Sequence, residues 1–182
     1  MAQDNPKVEV FGGWQYLHLG NVYGTSQNVP EGFDGSVTAN LNKHFGVTGD
    51  FSGSFKSITG QIETGNGLGS GTVHDHIFTY AGGPVISMDA GGKINPFAHF
   101  LVGGFHNSLS GSGCLVSDPT QCGSIPTTST NGMVMMVGGG LDVKASQHVA
   151  IRLGQFDWVY YHSNGVGESK NFRYSAGVVF RF

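Results

Sequence analysis

Between Phe172 and Phe182 the chain reads FRYSAGVVFRF, and this alternation constrains the fold more than any other stretch. One parity carries Phe172, Tyr174, Ala176, Val178, Phe180 and Phe182, and the other carries Arg173, Ser175, Gly177, Val179 and Arg181. In a β-strand the two parities are opposite faces. One face is then wholly apolar and the other holds two arginines among small residues. In a soluble sandwich the arginines would need buried partners and the apolar face a cover. In a membrane barrel lipid covers the apolar face and the polar face lines the lumen.

The chain has 182 residues, enough for one domain. Its net charge of −3 comes without a basic run, so no nucleic-acid partner is expected. Glycine, 31 residues in all, is scattered through the chain, as suits strands that bend sharply around a small closed barrel. Aromatic content of 12% argues against disorder. No run approaches the roughly 18 to 20 apolar residues of a membrane helix, which leaves the barrel as the way to satisfy every backbone group in lipid. Residues 1–7 read as a mature N-terminal tail, with Ala2-Gln3-Asp4 following a removed signal peptide and Met1 added for expression. Residues 8–182 read as a single barrel domain.

Val8, Val10, Gly12, Trp14 and Tyr16 alternate with Glu9, Phe11, Gly13, Gln15 and Leu17. The first set is expected on lipid and the second in the lumen, with Phe11 and Leu17 as apolar exceptions. Residues 20–32 read as a loop because of Asn28-Val29-Pro30-Glu31-Gly32. Gly35 to Asn42 and Phe45 to Phe55 form a hairpin whose inner face is almost all small hydroxyl or amide residues. Lys56 to Gly71 reads as a second loop. Thr72 to Met88 and Lys93 to Ser108 pair across Asp89-Ala90-Gly91-Gly92, with Phe78, Tyr80, Ala98, Phe100 and Val102 outward and Asp75, Thr79 and His99 inward. Pro84 and Pro96 are expected at strand ends or bulges, since proline donates nothing to a ladder. Leu109 to Asn131 reads as the longest loop. Met133 to Val143 and His148 to Tyr161 pair next. Arg152 and Asp157 both belong in the lumen yet lie on opposite phases, so a bulge is expected near Gly154-Gln155, leaving Phe156, Trp158 and Tyr160 on lipid. His162 to Lys170 reads as the last loop.

Eight strands result, joined alternately by long and short connections, with every long loop on one side. An even count puts both termini on the short-turn side. A soluble up-and-down barrel would have an apolar lumen and a polar outside, the reverse of strands two, three and eight. Aromatics gather in two belts, the richer one near the long loops.

On these features the chain resembles the small eight-stranded outer-membrane β-barrels, the group that includes the OmpA transmembrane domain and OmpX, from Val8 to Phe182. The most specific part is the C-terminal pattern ending in Phe182. The resemblance implies that Tyr174, Val178, Phe180 and Phe182 form the signal read by the barrel-assembly machinery. GGKINPFAHFLVGG and GGGLDVKASQHVAIRLGQFDWVYY resemble porin-family barrel proteins of soil bacteria. No peptidoglycan-binding segment is recognisable, so a role as a wall anchor is not expected.

The lumen is expected to hold Glu9, Asp50, Asp142, Arg152, Asp157, Arg173 and Arg181, with Arg181 close to Glu9 where the last strand closes on the first. Eight strands enclose a space that side chains can fill, and paired charges there make a plug. Cys114 and Cys122 suit a local disulfide in an oxidising compartment. His74-Asp75-His76 puts two imidazoles on one face, short of a third ligand, so no metal site is assigned. His162-Ser163-Asn164 is similar to the His-x-Ser-Asn pattern of PagL-type lipid A deacylases but lacks the intervening residue, so no catalytic residue is assigned.

The expected protein is all-β: an eight-stranded antiparallel up-and-down transmembrane barrel with short periplasmic turns and long extracellular loops. It is expected to be a monomer of the bacterial outer membrane, in contact with lipid bilayer and lipopolysaccharide, without cofactor. A structural or adhesive role through external loops that bind a surface ligand is favoured. The alternatives are a narrow channel for ions or small solutes and a lipid A-modifying hydrolase.

Overall fold

The computed structural model describes residues 6–22, 25–64, 67–90, 92–115 and 122–182. The sequence readings for Ala2-Gln3-Asp4, Asn66, Gly91 and Asp118-Pro119 lie outside them. The strands are β1 (Val8–Val22), β2 (Thr25–Val29), β3 (Glu31–Asn40), β4 (Phe45–Thr64), β5 (Gly67–Ser87), β6 (Ile94–Leu115), β7 (Cys122–Lys144), β8 (Val149–Ser163) and β9 (Val166–Arg181). All neighbours are antiparallel, and β9 pairs with β1 to close the sheet, from Glu9 opposite Arg181 to His18 opposite Phe172. β2 and β3 both pair with β1 and together make one wall of the barrel, which therefore has eight. Between Trp14–Phe33 and Leu17–Val29 two residues of β1 face three of its neighbour, and Pro30 lies in that bulge. The Trp14 indole N–H donates to the Pro30 carbonyl at 2.9 Å and holds the two pieces in line.

The stretches read as loops are largely strand. β1 and β2 fill most of 20–32, β4 and β5 most of 56–71, and β6 and β7 most of 109–131. The last hairpin turns on Asn164 and Gly165 alone, both at positive φ (51° and 78°), as a type I′ turn requires. The second and third of these segments are rich in serine, threonine and glycine. Such polarity resembles loop composition when read alone, but cross-strand pairing satisfies the backbone and the hydroxyls face water. The asymmetry of the two ends remains, expressed as strand length. β6 has 22 residues, twice the roughly 9 to 11 that cross a bilayer. Beyond Phe55, the last partner of β3, the chain continues as a four-stranded sheet of β4, β5, β6 and β7.

Pro84 departs from expectation in another way. It sits inside β5 opposite Val47, and the pairing with β6 keeps its register on both sides, from Gly82–Val102 to Val85–His99. Its ring points outward, and the missing backbone donor costs one β5–β6 bond only. The bulge expected in β8 falls at Leu153-Gly154: Leu141 faces Gly154 while Asp142 faces Arg152. Arg152 and Asp157 are thereby both buried, and Phe156 is left 68% exposed.

Outside, Trp14, Phe33, Phe51, Tyr80, Trp158 and Phe172 are exposed around the upper belt and Phe45, Phe180 and Phe182 around the lower. Neighbouring rings touch: Phe33 with Phe51 at 5.8 Å between centroids, Phe156 with Tyr174 at 4.8 Å. Exposed Val10, Val37, Val47, Val102, Val137 and Ile151 lie between the belts. So large an apolar surface on a folded chain calls for a lipid cover. At the closure seam Gly13 and Gly177 face each other, and a Cβ on either would collide with the backbone of the opposite strand.

Candidate functional site

The lumen has two storeys of different chemistry. The lower is a chain of charges. Arg152 donates from Nε to Asp142 Oδ1 at 2.8 Å and from Nη1 to Gln155 Oε1 at 2.7 Å. Gln155 passes the chain on by donating to Asp157 Oδ2 at 2.8 Å. Arg173 Nε donates to the same oxygen at 2.8 Å, and its Nη1 and Nη2 grip Asp50 at 2.7 and 3.0 Å. Asp34 lies 3.7 Å from Arg173 Nη1, and His99 Nε2 lies 2.7 Å from Asp157 Oδ1. Strands β3, β4, β6, β7, β8 and β9 thus meet through one network at the barrel axis.

The expected lumenal residues Asp50, Asp142, Arg152, Asp157 and Arg173 are all in this network. Glu9 and Arg181 form a separate pair, 3.0 Å apart, where β9 closes on β1. Sequence reasoning left out Asp34, His99 as an ion-pair partner, and Gln155. Asp34 was hidden by starting the second strand at Gly35; the alternation Asp34, Ser36, Thr38 carries it inward. Gln155 was hidden by the bulge. Gly138 makes room for the network: its Cβ would fall on Asp157 Oδ1. Arg152 is further sandwiched between the rings of Phe11 and Phe97, at 4.3 and 4.2 Å from their centroids, so Phe11 is a working part of the lumen. One pocket beside the network, lined by Asp50, His99, Asp142 and Arg152 among others, holds about 20 Å³, one or two waters in scale.

The upper storey is mainly apolar, and Leu17, expected as an apolar exception on the inner face, belongs to it. Leu101, Phe105, Val134, Met136 and Val159 form one buried cluster, and Leu17, Leu19, Val29 and Ile77 form another. Tyr161 packs against both. The network below uses the donors and acceptors that strands present at mid-height. Above it most inward residues are apolar and fill the space, with buried Ser54, Thr79 and Asn171 among them.

Over the upper storey stands the external sheet. Its outward face aligns hydroxyls across four strands: Thr59 opposite Thr72, Thr72 opposite Ser112, Ser112 opposite Ser124. Thr59 and Thr72 share a hydrogen bond of 3.0 Å, and Ser57 and His74 one of 2.9 Å. Cys114 and Cys122 are opposite one another on β6 and β7 and are joined as a disulfide at the tip. His74 and His76 lie on the outward face with ring centroids 6.5 Å apart. Among the described residues no cluster of three or more metal-ligating side chains occurs. His162 and Ser163 are consecutive on β8 and so project from opposite faces. The His162 ring lies beside Tyr160, its Nδ1 3.4 Å from the phenol oxygen.

An apolar outer belt and closure of the last strand on the first define a transmembrane β-barrel of the eight-stranded outer-membrane type. Solved structures share the fold over nearly their whole length. Ail, the attachment invasion locus protein of Yersinia pestis, in complex with the heparin analogue sucrose octasulfate, is similar with a TM-score of 0.65 at 16% identity, over 98% of this chain and 100% of that one. Neisserial surface protein A gives 0.61 at 12% identity over 97% of each chain. The N-terminal β-barrel domain of OprF from Pseudomonas aeruginosa gives 0.52 at 11%, over 98% of this chain and 100% of that one. No protein-family model and no curated protein sequence matches the chain. Identities this low speak to the fold alone.

Proposed function

We propose that the chain is a monomeric outer-membrane barrel, closed to passage, that acts through its external sheet in attachment to a surface ligand and in membrane integrity. The observation that carries this reading is the pairing of a filled lumen with strands β4 to β7 continued beyond the barrel and clasped by Cys114–Cys122. A channel has no use for the first, and a purely membrane-embedded staple has no use for the second. The outward hydroxyl rows adjoin the layer where lipopolysaccharide sugars would lie, and their chemistry suits hydroxylated partners. One fold neighbour bears the name attachment invasion locus protein, which agrees with a surface role. On this reading Tyr174, Val178, Phe180 and Phe182 are the signal for the assembly machinery, and a signal peptide is removed before insertion. The chain is read as non-enzymatic, since His162 and Ser163 are placed back to back.

Display of the chain on a bacterium that does not adhere tests the proposal. Binding to glycan-coated or host-cell surfaces, lost when residues 56–76 and 108–130 are shortened to tight turns, is the expected result. No gain in binding, with stable large conductances in planar bilayers, would replace this reading by the channel.

A further inference from the structure

Above the apolar storey, at the external mouth of the lumen, lies a pocket of about 130 Å³ lined by Leu19, Ile77, Phe105, Asn107, Tyr161, Glu168 and Asn171. Its floor is the apolar storey itself: Leu19 and Ile77 belong to one buried cluster, Phe105 to the other, and Tyr161 bridges them, its ring edge-on to Phe105 at 4.9 Å. The volume is comparable with the roughly 150 Å³ apolar cavity that admits benzene. One aromatic ring or a short branched chain therefore fills it.

The rim is polar, and Glu168 is the charged residue among those that line it. The wall that carries Glu168 is fixed. Asn171 Nδ2 donates to the Glu168 carbonyl at 3.0 Å and to the Val159 carbonyl at 3.2 Å, and its Oδ1 accepts from the Gly20 N–H at 3.1 Å. Across the mouth, one inward position above Ile77, Asp75 carries a buried Oδ1 without a hydrogen-bond partner among the described residues. Lys56, paired in register with Asp75, donates to Gln27 Oε1 at 3.2 Å, and it and His76 remain near enough to favour the Asp75 carboxylate. The cup thus has an apolar floor, an acidic rim and no way through, because the ionic storey closes the lumen beneath it.

We propose that this cup is a binding site for small organic cations bearing one apolar ring, the ring seated on Leu19, Ile77, Phe105 and Tyr161 and the ammonium held at the Glu168 carboxylate. Such a ligand enters and leaves by the same mouth, so the site senses or retains a solute and does not conduct it. The inference goes beyond attachment by the external sheet and stands whether or not that sheet binds a surface.

The full chain in phospholipid nanodiscs, titrated with 4-fluorophenethylamine and followed by fluorine NMR against empty nanodiscs, tests it. Saturable binding with a Kd of about 1 mM or below is expected. Glu168→Gln should weaken the amine at least about tenfold and change the neutral 2-(4-fluorophenyl)ethanol less than about twofold, since one charge contact is removed and the apolar seat is kept. Ile77→Trp, which fills the cup, should abolish binding of both probes. Absence of saturable binding up to about 10 mM overturns the site, and so does a Glu168→Gln protein that treats the two probes alike. Migration on an unheated gel reports folding of each variant. If Ile77→Trp does not fold, the comparison of the two probes on Glu168→Gln decides alone.

Discussion

Around Arg173 the barrel interior is packed with groups that each need a particular partner, whereas around Leu101, one storey higher, it is packed with groups that need only the right volume. Arg173 is 2% exposed and touches carboxylates from β4 and β8; Leu101 is fully buried and touches hydrocarbon from β7 and β8. Both lie inside the same barrel, but they fail differently. A charge that loses its partner remains buried and uncompensated, and no repacking cures that. An apolar contact that is lost leaves a cavity into which neighbours relax.

The difference can be attacked in order of expected effect. Arg173→Met leaves Asp50 and Asp157 facing each other without a cation and should cost about 3 to 5 kcal/mol. Urea titration of the folded, heat-modifiable form in lipid vesicles measures it, and a cost below about 1 kcal/mol would erase the distinction. Leu101→Ala should cost about 3 kcal/mol in the same titration, while the volume-conserving Leu101→Met should cost less than about 1.5. Arg173→Lys, equally conservative in charge, should not be forgiven in this way, because a single ammonium cannot serve both carboxylates as the fork does. Joint replacement of Cys114 and Cys122 by serine should loosen the external hairpin by about 2 to 3 kcal/mol and leave the barrel's own midpoint unmoved, read as faster proteolysis at the tip. The smallest effect is expected at Asp75, in the sheet above the barrel, whose carboxyl is pushed above its usual range by burial. Its charged form is disfavoured by folding, so it detracts from stability as pH rises through its folded pKa. Asp75→Asn should therefore be slightly stabilising at pH 8 and neutral at pH 3, a sign that urea midpoints at the two pH values would check.

The same contrast explains what could be read from the chain beforehand. Period-two alternation located the strands near the belts, because lipid enforces an apolar outer face with few exceptions. It placed Glu9 on the face of Arg181 and required a bulge in β8 to keep Arg152 and Asp157 together. Alternation says less about the inner face, where Phe11 and Leu17 looked like errors. Phe11 stacks on Arg152 and Leu17 belongs to the upper storey, so both satisfy a need that arises only when strands far apart in sequence converge. The external strands were illegible for another reason. Serine, threonine and glycine facing water on one side and a shallow interior on the other give no apolar rhythm, and only cross-strand pairing makes them strand.

The continuity of β6 and β7 from the short-turn end to the disulfide also has a mechanical meaning. Ladder hydrogen bonds lie perpendicular to the strands they join. A pull on the tip along the strands must shear many of them at once, and the covalent clasp prevents the two arms from being loaded separately. A sideways pull peels them one by one. A load applied at that tip is therefore borne best along the strands and worst across them.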